Sequence, residues 1–187
     1  MKHLEFLKSR HSTPHLQEPA PSAEEIAQVW QAVIRAPDHA RLKPTRLQIW
    51  QADALDRMGE IFAQSAQQAT PELTEDALKR TRNLPHRAPM VAVVIASVKE
   101  HAKVPEIEQI ISTGCGAYAL ILALNDLGYG CMWRTGNYAY DDHVKSAIGL
   151  GSNEHIVGFV YIGSQGGSAV KAFEEPAFSD CVEFFND

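Results

Sequence analysis

The chain has 187 residues, 17 Lys+Arg against 23 Asp+Glu, a formal net charge of −6 and 45% hydrophobic residues. For a mass of 20.6 kDa, surface scaling leaves about 8,900 Å² exposed when folded against about 30,000 Å² unfolded, and burial of about 70% forms a core without disulfides or metal. This excludes a disordered chain, a collagen-like repeat and a disulfide scaffold, and the negative balance lacks the basic field that a nucleic-acid backbone demands. The three cysteines, Cys115, Cys131 and Cys181, are odd in number and form no C-x-x-C pair. That argues against a zinc cage and for a reducing compartment. The longest plainly apolar runs, 90–96 and 117–124, are far short of a membrane span. Residues 1–12 carry charge but no apolar leader core. The expectation is one domain over 1–187, cytoplasmic and unprocessed, with no nucleic-acid or membrane partner.

In chain order, Leu4 and Leu7 predict a short first helix ending near Arg10. Ser22-Ala23-Glu24-Glu25 is a capping box. Behind it Ile26, Val29, Trp30, Val33 and Ile34 fall on one helical face, and Pro37 ends that helix near Arg35. Residues 47–52 predict a strand. Asp53 can cap a helix carrying Leu55, Met58, Ile61 and Phe62. A polar stretch at 69–74 and a short helix to about Arg82 follow. The β-branched run 90–98 predicts a strand buried on both faces. Pro105 suits the first turn of a long helix reaching about Leu127. Its interior Gly114 and Gly116 cost about 1 kcal/mol each relative to alanine. They are explained by close approach of a helix or ligand, or are simply tolerated. Strands at 131–135 and 156–163 and a helix at 141–148 complete the pattern. The tail at 164–187 holds Phe173, Phe178, Phe184 and Phe185, which must bury in the chain's own core or against a partner subunit. This order is not a regular βαβ alternation. It predicts an α+β fold, a central mixed or antiparallel sheet of about four strands surrounded by helices. No G-x-G-x-x-G follows a strand and there is no P-loop.

Three segments could carry chemistry. Arg10-His11-Ser12-Thr13 joins a guanidinium, an imidazole and two hydroxyls, a set that can hold a phosphate or a polyol; a solvated helix end is the alternative. Arg35-Ala36-Pro37-Asp38-His39 places a cation and an imidazole after a helix terminus, where they also simply complement the dipole. Trp133-Arg134-Thr135-Gly136 ends a predicted strand, a position where ligands collect in layered folds; an edge tryptophan beside an exposed arginine is the plain alternative. His11 and His15 are i, i+4 with Pro14 between them and no third ligand at zinc spacing, so no metal is expected. Cys115, beside Gly114, is expected to be a buried small residue rather than a nucleophile.

Together with Pro85-His86-Arg87-Ala88-Pro89, Glu108-Gln109 and Gly128-Tyr129-Gly130-Cys131-Met132, these segments form an ordered set. The set resembles the FMN-dependent nitroreductase superfamily in its compact bacterial branch, over about residues 4–163. The resemblance implies a nitroreductase-like fold and a homodimer with two FMN sites in its interface, each built from both subunits. It implies an oxidoreductase in which FMN takes a hydride from NADH or NADPH and passes reducing equivalents to a nitroaromatic, quinone or similar acceptor by a ping-pong route. Arg10, His11 and Ser12 would then hold the FMN phosphate and ribityl chain. Trp133, Arg134 and Thr135 would lie by the same cofactor, and Arg35 and His39 match a cofactor-contacting pair. Ala123, Leu124, Asn125, Asp126, Leu127 and Gly128 correspond to a nicotinamide-nucleotide region. The flavin would carry the chemistry, so no catalytic side chain is expected. Pro44-Thr45-Arg46 departs from the Pro-Trp common in relatives, and His11 stands where a second arginine is common. The rival readings are a flavin-binding or sensory dimer without fast turnover, and a structural protein whose aromatic tail docks a partner.

Overall fold

The computed structural model describes residues 2–167 and 173–185. Its elements are α1 (His3–Ser9), β1 (Leu16–Gln17), α2 (Ala23–Val33), β2 (Thr45–Gln51), α3 (Asp53–Ala69), α4 (Glu75–Arg82), β3 (Met90–Ser97), α5 (Glu106–Asp126), β4 (Tyr129–Arg134), α6 (Asp142–Ala147), β5 (Glu154–Gln165) and α7 (Phe178–Cys181). Short 3-10 turns lie at His39–Arg41, Pro85–Arg87 and Asn137–Ala139.

β3 organises the core. Residues 90–96 are apolar and buried. Alternation sends Val91, Val93 and Ile95 to one face and Met90, Ala92 and Val94 to the other. The first face packs on Leu55, Met58 and Phe62 of α3 and Val144 of α6. The second packs on Val29 and Val33 of α2 and on Ala117, Leu120 and Leu124 of α5. β3 pairs antiparallel with β2 and with β5, and β4 runs antiparallel along β5.

The sheet has five strands rather than about four. The extra one is β1, whose Leu16 and Gln17 pair antiparallel with Gln165 and Ser164, beyond Ile162 where β3 pairing ends. Two residues are too few to show an alternation in sequence. Every pairing is antiparallel, so the sheet is not mixed.

The capping box forms as the sequence predicts. The Ser22 hydroxyl accepts from Glu25 N, and Glu25 Oε2 accepts from Ser22 N at 2.8 Å. The same carboxylate oxygen accepts from the Tyr129 hydroxyl at 2.9 Å, tying the start of α2 to β4. Pro105 stands at the N-cap of α5 rather than within its first turn. The two interior glycines of α5 divide. A methyl on Gly116 would sit 3.3–3.4 Å from Thr45 and Val33, whereas one on Gly114 would meet nothing within 4 Å. By length and composition α5 could cross a membrane, which the short apolar runs did not suggest; in this fold its inner face is part of the core.

Among the described residues, the tail phenylalanines do not return to the core. Phe173 is 82% exposed and Phe185 88%, and Phe178 and Phe184 touch only as a tilted pair 6.2 Å apart. Residues 168–172 and 186–187 of the predicted tail lie outside the described residues.

Arg46, the residue after Thr45, fastens β2 to the start of β5. Its Nε and Nη2 donate to both oxygens of Glu154 at 2.5 and 2.7 Å. The paired guanidinium holds the Glu154 carboxyl down at about 2. A depressed carboxylate stabilises the fold above its ordinary value and loses that contribution as pH falls through the folded value. Glu154→Gln is therefore expected to cost about 3 kcal/mol in urea unfolding at pH 7. The gap to the parent should narrow between pH 4.5 and about 2; a gap independent of pH would contradict this account of the pair.

Candidate functional site

The first candidate loop leaves α1 and is tied to β4. Thr13 is buried, and its N–H donates to Cys131 O at 2.9 Å. The loop lies close over Gly130, where a methyl would stand 2.8 Å from Leu16 Cδ2 and 3.0 Å from Thr13 Cβ. Arg10 and His11 are half-buried beside it, and Ser12 is exposed. The structure thus brings Arg10, His11 and Ser12 alongside the strand that carries Trp133 and Arg134.

Along β4, alternation sends those two side chains to opposite faces. Trp133 packs against the face covered by α2 and α5. Its indole occupies space that exists because residue 158 is glycine: a methyl there would lie 2.0 Å from Nε1. Arg134 crosses to the other face. Its guanidinium stands 5.8 Å from the Tyr161 ring centroid, and Nη2 donates to Met132 Sδ at 3.0 Å. Thr135 follows, exposed.

Arg134 lines a cavity of about 710 Å³ with Pro14, His15, Leu16, Gln17, Arg87 and Gly166. No carboxylate lines it. Burial pushes the Tyr161 phenol up, opposed by the positive charges of Arg134 and Arg87. Both guanidiniums therefore act on one phenol. Sequence reasoning gave Arg87, His15 and Gln17 no role. Arg87 stood inside a quoted motif, but its meeting with Arg134 depends on the β4–β5–β3 pairing and has no local signal.

The second candidate segment lies elsewhere. His39 Nδ1 is 2.7 Å from Glu108 Oε2 in the first turn of α5. A carboxylate oxygen accepts, so the Nδ1–H donates to it and the ring's orientation is fixed from that side. The following loop holds three non-glycine residues at positive φ: Ala40 at 60°, Arg41 at 56° and Lys43 at 52°. Such conformations persist only where surroundings enforce them. Here Asp38 accepts from Leu42 N at 3.0 Å and from Lys43 N at 2.7 Å, and Lys99 Nζ donates to Leu42 O at 2.5 Å. Arg35, just past α2, is exposed.

Within one chain these two groups do not meet. His39 is fixed at the start of α5, whereas β4 begins beyond that helix's end, where Asn125 Nδ2 donates to Tyr129 O at 2.8 Å. A helix of 21 residues is about 30 Å long. Arg134 then faces the opposite side of the sheet from α5.

The segment from Ala123 to Gly128 ends α5. Leu124 is wholly buried, Asn125 holds the turn, and Gly128 takes φ +91°. Ala123 and Leu127 are half-buried and Asp126 is exposed. None of the six lines the 710 Å³ cavity. Among the described residues no three His, Cys, Asp or Glu side chains gather as a metal site. Cys115 is exposed on α5, not buried as the sequence suggested, because the turn it occupies faces away from the sheet. Cys131 is the buried thiol, pushed up to about 12 by burial.

Comparison with known proteins places these features in company. A model of the Nitroreductase family matches residues 7–164. The Escherichia coli K12 protein named "Putative NAD(P)H nitroreductase YdjA" is 33% identical over 185 residues, covering 99% of this chain and 100% of that protein. A Haemophilus influenzae protein named as a putative NAD(P)H nitroreductase is 33% identical, covering 88% and 89%. Among solved structures, a nitroreductase-like family protein from Bacillus cereus superposes with TM-score 0.85 at 19% identity, covering 100% of this chain and 97% of that one. The FMN-dependent nitroreductase NfnB of Mycobacterium smegmatis, solved with NADPH, gives 0.76 at 16% identity, covering 98% and 97%.

The Gly158 slot yields a direct expectation. Gly158→Ala must displace the Trp133 indole, and overpacking of this kind costs about 1–3 kcal/mol. Tryptophan emission should shift in Gly158→Ala but not when Trp133 is already phenylalanine. An unshifted spectrum in the parent background would show that the indole does not occupy the slot.

Proposed function

The chain belongs to the nitroreductase family, and from that premise and the geometry of its site we propose that it is a homodimeric FMN oxidoreductase. Bound FMN supplies the redox chemistry, taking a hydride from NADH or NADPH and reducing a nitroaromatic, quinone or similar acceptor in ping-pong order. The donor set fits this group: guanidiniums around a carboxylate-free cavity suit a single phosphate monoester, so a net charge of −6 is no obstacle.

The observation that carries the reading is the division of the site. The loop of Arg10, His11 and Ser12 is tied through Thr13 to the early part of β4, beyond the end of α5, and leads to the strand that carries Trp133, Arg134 and Thr135, whereas His39, four residues after Arg35, is held at the start of α5. Two copies with their α5 helices side by side and antiparallel would bring the two ends together. The outer stripe of α5 supports such a pairing. Ile107 and Ile111 are 57% and 58% exposed, Tyr118 continues the row, and Gly114 leaves space for a neighbour. The chain exposes 11774 Å², about a third more than the ~8,900 Å² of a compact monomer of this mass. The exposed tail phenylalanines belong to the same surplus.

In this reading Arg10, Ser12 and Arg134 bind the phosphate and the ribityl chain, with His11 beside them. Trp133 and Thr135, on either side of Arg134 in the chain, would lie by the same cofactor. Glu108 orients His39 so that Nε2 faces the flavin of the other subunit, with Arg35 adjacent. The end of α5, from Ala123 to Gly128, lies toward the nicotinamide nucleotide. The strained loop after His39 is locked by Asp38 and Lys99 before any ligand arrives, so little ordering is lost on binding. Three free cysteines fit a reducing cytoplasm.

Purified protein should be yellow and bleach anaerobically with NADH or NADPH. Arg10→Ala and Arg134→Ala should each weaken FMN retention by about tenfold, the worth of one charge-assisted phosphate contact. Colourless protein that takes up no FMN would overturn the reading. Tight FMN with no reduction by either nucleotide would make the chain a flavin-binding dimer without turnover.

A further inference from the structure

A second cavity of about 470 Å³ adjoins the first and shares one wall with it, the side chain of Arg87. Its other lining residues are Ala77, Arg80, Thr81, Asn83 and Leu84, at the end of α4 and the turn beyond. Among the described residues, no carboxylate lines either cavity. Their cations are Arg134, Arg87 and Arg80, in a chain that is acidic overall. Among the described residues none of the three has a carboxylate partner, although acids are at hand. Arg82, two residues from Arg80, is bound by Glu60 and Glu75 at 2.8 Å each, and Arg46 is bound by Glu154.

Arg87 is also placed by fixed neighbours. On one side His86 Nε2 lies 2.9 Å from Asp56 of α3. On the other, Ala88 is buried and leads into β3. The guanidinium between them faces both cavities. Thr81, Asn83, Gln17 and His15 add neutral donors. Arg80 would complement the α4 dipole with or without a ligand, but that does not account for Arg87, which lies beyond the helix at the junction of the cavities.

We propose that Arg87 and Arg80 form a second phosphate-binding subsite in the smaller cavity, next to the place that the flavin phosphate would take at Arg134. Two further guanidiniums without a carboxylate partner, beside the first cavity, suit a ligand carrying its own phosphates, such as the pyrophosphate of a dinucleotide substrate. A single flavin phosphate would need only the first cavity. The inference rests on the flavin reading for the identity of the ligand, and on the cavities alone for its phosphate chemistry.

The test uses full-length protein with inorganic pyrophosphate as the probe, titrated calorimetrically, together with FMN and riboflavin affinities. Pyrophosphate should bind the FMN-loaded protein. Arg87→Ala and Arg80→Ala should each weaken it about tenfold, the worth of one charge-assisted fork, and Arg87→Lys should restore part of the loss. If Arg87→Ala instead lowers affinity for FMN but not riboflavin, and Arg80→Ala changes nothing, Arg87 holds the flavin's own phosphate and the second subsite is wrong. If no variant alters any phosphate affinity while FMN still binds, the subsite is refuted and the flavin reading stands. If the protein takes up no FMN, pyrophosphate binding to the unloaded protein and its loss in Arg87→Ala still decide the subsite separately.

Discussion

Everything in this molecule is arranged around a strand that has no solvent side. Residues 90–96 of β3 are buried on both faces, so helices must cover both, and no ligand site can form over the middle of the sheet. Binding groups are pushed to the rim. There the first loop lies across Gly130, β4 ends in Arg134, and the turn before β3 presents Arg87. The same two-sided burial calls for a helix long enough to cover the second face. That helix, α5, keeps His39 at one end while β4 starts from the other.

In the proposed dimer this separation makes a second subunit more than a stabilising neighbour. The outer row of Ile107, Ile111, Gly114 and Tyr118 follows helical spacing and resembles a core stripe with no core to cover. The fixed loop at 38–43 points the same way. Backbone strain at Ala40, Arg41 and Lys43, restrained by the Asp38 carboxylate and by Lys99, keeps the loop fixed where His39 meets Glu108 at the start of α5.

Much of this was legible in the sequence wherever the signal is local. The capping box at Ser22, the two-sided β3 run and the apolar face of α2 were all read from neighbouring residues, and the family resemblance rested on ordered local motifs. What escaped was set by pairing across long sequence separations. β1 is too short for any period and exists because Gln165 and Ser164 overhang β3. His39 and Glu108 are 69 residues apart. The positive-φ loop carries no glycine at the strained positions; its one cue was Asp38, whose carboxylate replaces the missing ladder. Cys115 was expected inside as a small residue beside Gly114, but helical phase turns it outward. Arg87 sat in plain view in a motif, and only the sheet order reveals that it faces Arg134.

The central claim is that each site is completed by Arg134 from one chain and His39 from another. Mixed dimers formed from an Arg134→Ala chain and a His39→Ala chain test it most directly, by flavin titration. If the site is shared, one of the two sites in the mixed dimer carries both substitutions and the other carries neither, so half of the sites should bind FMN with the parent's affinity. If both groups served the same chain's flavin, every site would carry one substitution, and no parent-like half would appear.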